Sequence, residues 1–212
     1  GVRWGMGFIG GGGDGKGGEF YLARGATGAG GYDVMYGVLR ANISSVQATS
    51  VTYYSVQDGK FANGLTLRGT ASANPLTGQT TTISGSYTSA TGTAAATGTP
   101  NAFKLTYSPL NNFPGSASLI AGTYRGSGLF GGQWVFTVSP TGVLSGRVGG
   151  CNVQGRAGAR APDSAMYSIT MNMTGDAATC GTLAGTQQAG VAVLRFDANH
   201  VPNAIWVFAR NS

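Results

Sequence analysis

Residues 167–174 alternate strictly. Tyr167, Ile169, Met171 and Met173 take turns with Ser168, Thr170, Asn172 and Thr174. Successive side chains of a strand point to opposite faces, so this period buries its apolar set only on a sheet. The two cysteines of the chain flank the run, Cys151 in Gly150-Cys-Asn-Val-Gln-Gly155 and Cys180 in Cys180-Gly-Thr-Leu-Ala-Gly185. Each cysteine opens a short strand-like run that closes on glycine. The arrangement predicts one disulfide, Cys151–Cys180, clamping a β-sheet. A closed loop of about 30 residues contributes about 3.5 kcal/mol in the chain-entropy model. A bridge of this kind belongs to an oxidising compartment. A redox role would want C-x-x-C spacing, which is missing.

The rest of the chain repeats the strand theme. In Thr80–Thr88, Ile83, Gly85 and Tyr87 share one face and Thr82, Ser84 and Ser86 the other. Residues 43–56 form a longer run with Tyr53 and Tyr54 on opposite faces. Phe103, Leu105 and Tyr107 alternate with polar residues, as do Trp134, Phe136 and Val138. Charged residues are only 9% of the chain, and it holds 38 glycines. Long helices need the Ala, Leu, Glu, Lys and Arg richness that is missing here. Two prolines, two asparagines and a glycine crowd residues 108–118, the best boundary signal in the sequence. The expected architecture is all-β, with two antiparallel β-units, each a small barrel or sandwich. Residues 1–112 form an N-terminal unit with glycine-rich loops. Residues 113–212 form a disulfide-clamped unit of about eight strands, of which 180–187 is one. A hydrophobic-small-Gly triplet recurs at Ile83, Ile120, Leu144 and Leu183. It suggests shared architecture and distant duplication.

Catalytic machinery is scarce. His200 is the sole histidine and sits in a turn-like Asn-His-Val-Pro. A nucleophilic triad needs that His oriented by an acid, and no G-x-S-x-G elbow is present. The acids are Asp14, Glu19, Asp33, Asp58, Asp163, Asp176 and Asp197. Nearly all fall in predicted turns, where Asp serves the backbone; Glu19 is the exception. One His and two separated Cys make no zinc site. Residues 10–16 mimic a phosphate loop, but Gly17 stands where Ser or Thr is needed, and a strand-like run follows instead of a helix. No catalytic residue, metal ligand or cofactor is therefore expected, and the residues name no ligand-binding set.

The net charge is +6, with 13 Lys and Arg against 7 Asp and Glu. The basic residues are spread along the chain, which argues against specific nucleic-acid binding. Weak attraction to anionic polysaccharide or lipopolysaccharide is consistent with the balance. No apolar run is long enough to span a membrane as a helix.

Several motifs of the second half occur together. They are Ala121-Gly-Thr-Tyr-Arg-Gly126, Ser139-Pro-Thr-Gly-Val-Leu-Ser-Gly146, Gly150-Cys-Asn-Val-Gln-Gly155, Tyr167-Ser-Ile-Thr-Met171 and Ala204-Ile-Trp-Val-Phe208. In this order, over residues 80–212, the chain resembles a group of poorly characterised proteobacterial surface or periplasmic lipoproteins. The resemblance implies export, and membrane attachment only through a lipid anchor lying outside residues 1–212. It brings no established activity and no site residues.

The sequence is thus read as a non-enzymatic, extracytoplasmic structural or interaction module, at the cell surface, secreted or periplasmic. Its expected partners are a protein, a cell-surface polymer or a second copy of itself, the last by strand addition. Alternatives are a barrel carrier of a small apolar ligand and an enzyme inhibitor or weakly recognisable hydrolase.

Overall fold

Alternating residues become strands almost throughout the computed structural model. It describes residues 5–9, 17–25, 32–42, 44–55, 60–76, 79–88, 101–107, 115–127, 133–160, 164–197, 199 and 201–211. The chain divides into two compact units, Gly1–Tyr107 and Ser108–Ser212. Each holds a seven-stranded antiparallel sheet whose strands pair in sequence order. One sheet is a half-barrel and the other a nearly closed barrel.

The first sheet runs β1 (Gly5–Ile9), β2 (Gly17–Gly25), β3 (Tyr32–Ala41), β4 (Ser45–Ser55), β5 (Lys60–Ala73), β6 (Thr80–Thr88) and β7 (Asn101–Thr106). Its inner face buries Phe20, Met35, Leu39, Val46, Ala48, Val51, Leu65, Leu67 and Tyr87 as one cluster. The long β4 is not regular. Ala48 pairs with Leu67 and Val51 with Leu65, so β4 carries one extra residue there. Ser50 takes φ 60° at this bulge. From Val51 to Tyr53 the partner strand gains a residue in turn, at Gly64 with φ 76°. Paired bulges bend the sheet and keep the apolar parity of both strands.

The second sheet runs β8 (Gly122–Ser127), β9 (Gln133–Val138), β10 (Val143–Val148), β11 (Cys151–Ala159), β12 (Met166–Thr174), β13 (Gln187–Phe196) and β14 (Pro202–Asn211). The inner face of β12 presents Tyr167, Ile169, Met171 and Met173, all buried. They join Phe136, Val138, Leu144, Val153, Ala192 and Leu194 in the second core. The bridge Cys151–Cys180 closes across this core with Cα atoms 4.6 Å apart.

Two expectations need correction. Among the described residues the second unit has seven strands, in keeping with a count of about eight, but 180–187 is not one of them. Cys180 instead ends the helical turn α1 (Ala177–Cys180), and a 3-10 turn follows at Gly181–Leu183. The Asp176 carboxylate caps α1 by accepting the Thr179 backbone N–H at 2.9 Å. Gly181, at φ 62°, terminates it. These local bonds compete with a sheet ladder, and Gly-Thr-Leu-Ala-Gly has no apolar alternation to oppose them. The Ile120 triplet likewise precedes β8 and is not a strand interior. The recurrent triplet therefore marks three local settings, a strand interior at Ile83 and Leu144, the entry to β8 at Ile120 and the end of the 3-10 turn at Leu183, and no common repeat position.

The GC motif has a packing reason. A Cβ on Gly150 would lie 2.2 Å from the Thr179 carbonyl oxygen. Glycine there lets α1 sit down on the start of β11, which brings Cys180 within reach of Cys151. The motif residues Ala121-Gly-Thr-Tyr124 also act structurally. The Tyr124 hydroxyl donates to the Ile120 carbonyl at 2.8 Å and ties the chain entering β8 to the strand.

Candidate functional site

The outer face of the second sheet, opposite its core, is where unexplained chemistry gathers. Antiparallel pairing aligns residues on one face into rows across the strands. One row is Thr123, Thr137, Ser145, Gln154, Asn172 and Gln187, on β8 through β13. All six are exposed and uncharged, and all carry a hydroxyl or a carboxamide. Neighbours within the row hydrogen-bond: the Thr123 and Thr137 hydroxyls lie 3.0 Å apart, and Gln187 Nε2 donates to Asn172 Oδ1 at 3.2 Å. The bonds hold the side chains in plane and leave each group with further donor or acceptor capacity.

Arginines border this row on both sides. On one side Arg125, Val135, Arg147, Asn152 and Thr174 align. On the other, Val143, Arg156, Thr170, Ala189 and Arg210 align. Rows on one face lie two residues apart along the strand, about 6.7 Å. Arg125, Arg147, Arg156 and Arg210 are exposed. Arg147 Nε donates to Asn152 Oδ1 at 3.1 Å, which orients its guanidinium across the sheet. These three rows contain no carboxylate. A positive field therefore stands over a hydrogen-bonding floor.

Beyond these rows the same face changes character. Val191, Val193 and Phe208 are buried there, at 1%, 4% and 9% exposure. Trp206 stacks on Phe208 with ring centroids 6.2 Å apart. The outer face of the first sheet has a weaker version of the basic rows. Arg40, Gln47, Arg68 and Ser86 align across β3 to β6, but Glu19 shares that face through its pairing with Val38.

Among the described residues, the acids weighed for catalysis sit in separate places. The Asp197 carboxylate accepts the backbone N–H groups of Asn199 and Val201, each at 2.9 Å, and so serves the turn before β14. Asp176 caps α1. Glu19 and Asp33 lie in strands β2 and β3; Asp33 had been expected in a turn. His200, Asp14, Asp58 and Asp163 lie outside the described residues, as do Lys16 and Trp4. Among the described residues no three His, Cys, Asp or Glu side chains cluster, and no helix is long and apolar enough to cross a membrane.

One buried polar pair belongs to the core. Tyr167 is fully buried, and among the described residues its hydroxyl makes no hydrogen bond of regular geometry, the Ser116 backbone being the nearest polar neighbour that acts on it. Burial raises its pKa, an effect partly offset by the nearby Ser116 backbone. The Tyr124 pKa is also raised, first by burial and then by the proximity of Tyr167.

Reading residues one at a time missed the arginine face. The arginines are scattered in sequence, and only strand register brings them to one surface. A signal was present in the outward positions of β8 through β12, which are rich in Thr, Ser, Asn, Gln and Arg and free of acids. No protein-family model matches the chain, and no curated protein or solved structure is significantly similar to it.

Proposed function

We propose that this protein is a non-enzymatic, extracytoplasmic interaction module that holds a macromolecule at the cell surface or in the periplasm. The carrying observation is the outer face of the second sheet, four arginines around a hydroxyl and carboxamide row with no acid among them. Such a surface attracts a polyanion at long range and offers directional hydrogen bonds at contact. The Cys151–Cys180 bridge supports an oxidising compartment. Secretion, surface display and lipid anchoring follow the family that the motifs resemble.

Cosedimentation with isolated bacterial cell envelopes tests the reading. The full chain is expected to pellet with them at low salt and to be released as salt rises. The Arg147→Glu, Arg156→Glu variant should remain in the supernatant. Equal pelleting of both proteins would refute the role of this face.

A second reading, self-assembly by strand addition, is favoured by β1. Edge strands are usually guarded by charge, proline or a bulge. Three of the four sheet edges follow that rule: β7 carries Lys104, β8 carries Arg125, and β14 begins at Pro202 beside a register shift at Arg195/Phe196. Strand β1, Gly-Met-Gly-Phe-Ile, has no charge or proline, and its register with β2 is unbroken. Sedimentation velocity should show a dimer that Phe8→Lys abolishes; a monomer at all concentrations rules the reading out.

A further inference from the structure

We propose that the outer face of the second unit takes an acidic polysaccharide, with the anionic groups on the arginine rows and the sugar hydroxyls on the row between them. This rests on the reading of the protein as a surface interaction module and names the ligand class. Three features of the face select it.

The first is charge. Arg147 and Arg156 stand on adjacent strands on opposite sides of the central row, with no acid in the three rows. Their planar forks match carboxylate, sulfate and phosphate oxygens. The second is the floor. Sugar hydroxyls both donate and accept, and so do the Ser145 hydroxyl and the Gln154 and Asn172 carboxamides. These three side chains meet a ligand at intervals of about 4.8 Å, the spacing of strands. The third is what the rows lack. They hold no aromatic side chain, whereas single-stranded nucleic acid is bound by stacking bases on aromatics. The valines of the flanking rows, Val135 and Val143, stand away from the middle, so the central row lacks the aromatic or large aliphatic anchor that a protein partner needs at the centre of its contact. An extended ligand that is polar and anionic, with no flat apolar surface to bury, meets all three conditions.

The test titrates the full chain with polygalacturonate, dextran sulfate, neutral dextran and an oligothymidylate. Both acidic polysaccharides should bind, with affinity falling as salt rises from about 50 to 200 mM, and dextran should not. Arg147→Gln with Arg156→Gln should weaken both by about tenfold or more, the equivalent of one charge-assisted contact. Gln154→Ala with Asn172→Ala should weaken the polysaccharides and leave any oligothymidylate binding unchanged. Arg68→Gln, on the first unit, should change nothing. The circular dichroism and melting temperature of each variant check that it folds, since all these side chains are exposed.

Oligothymidylate binding as tight as polysaccharide binding, with no effect of Gln154→Ala and Asn172→Ala, would overturn the proposal in favour of a bare charge effect. Failure to bind either acidic polysaccharide overturns it outright. If envelope pelleting then still depends on Arg147 and Arg156, the ligand class alone is wrong; if it does not, the interaction-module reading fails too.

Discussion

The two units share a topology and are held together differently. Each is a seven-stranded meander with its main hydrophobic cluster on one face. The first shapes its sheet with backbone irregularity, the Ser50 bulge on β4 and the compensating residue at Gly64. The second keeps its register unbroken from β8 through β13 and adds covalent and side-chain ties instead: the Cys151–Cys180 bridge, the Asp176 cap and the Tyr124 tie. The contrast bears on function. Unbroken register across six strands aligns outward side chains into straight rows, and the second unit is where the arginine face forms. In the first unit the β4 bulge interrupts the pairing of β3 with β4 between Tyr36 and Arg40. The basic row beyond it is accompanied by Glu19.

The sharpest way to break this comparison is to remove the bridge. Replacing Cys151 and Cys180 together by Ala should cost about 3.5 kcal/mol in denaturant unfolding. Amide exchange should accelerate in residues 108–212 and stay unchanged in 1–107. Equal acceleration in both units would mean that the clamp is not local to the second. A smaller effect tests the glycines that let backbones approach. Gly150→Ala meets the Thr179 carbonyl, and Gly85→Ala in the first unit meets the Arg68 carbonyl at 2.1 Å. Each should cost about 1–3 kcal/mol, because strands and turns must move apart. The Gly150 change should also make the bridge easier to reduce, a consequence that Gly85 has no means to share.

The smallest effect concerns pH. Tyr124 and Tyr167 keep their protons longer in the folded state than in the unfolded chain, whose tyrosines titrate near pH 10. A raised folded pKa stabilises below the unfolded value and loses that contribution as pH climbs through the folded one. The second unit should therefore lose stability as pH climbs past that value. Tyrosinate absorbance should show a late-titrating class that Tyr167→Phe diminishes. That variant should also be near neutral at pH 7, since among the described residues the lost hydroxyl makes no hydrogen bond of regular geometry.

Much of the architecture was legible in the residues. Alternation in 167–174, 134–138 and 80–88 identified strands and their buried faces, because a period of two has one meaning for a chain folded around an apolar core. The cysteine pair was legible because the chain holds only two thiols. The stretch after Cys180 was misread. Its short apolar residues resemble a strand, while the bonds that decide against one run from Asp176, four residues upstream. Tyr124 looked like one more alternating aromatic, and its tie to Ile120 depends on a turn that sequence spacing does not reveal. The candidate site was the least legible part.

By itself the sequence determined that the chain is all-β, which residues face inward, and that Cys151 and Cys180 are bridged, since periodicity and the count of thiols are local and arithmetic properties. Register was decided only by the tertiary structure. Pairing brings Arg125, Arg147, Arg156 and Arg210 from four separate strands to one face, although up to 85 positions separate them in the chain. A row across a sheet is made by hydrogen bonds between strands, and a linear pattern carries the direction of each side chain but not its neighbour.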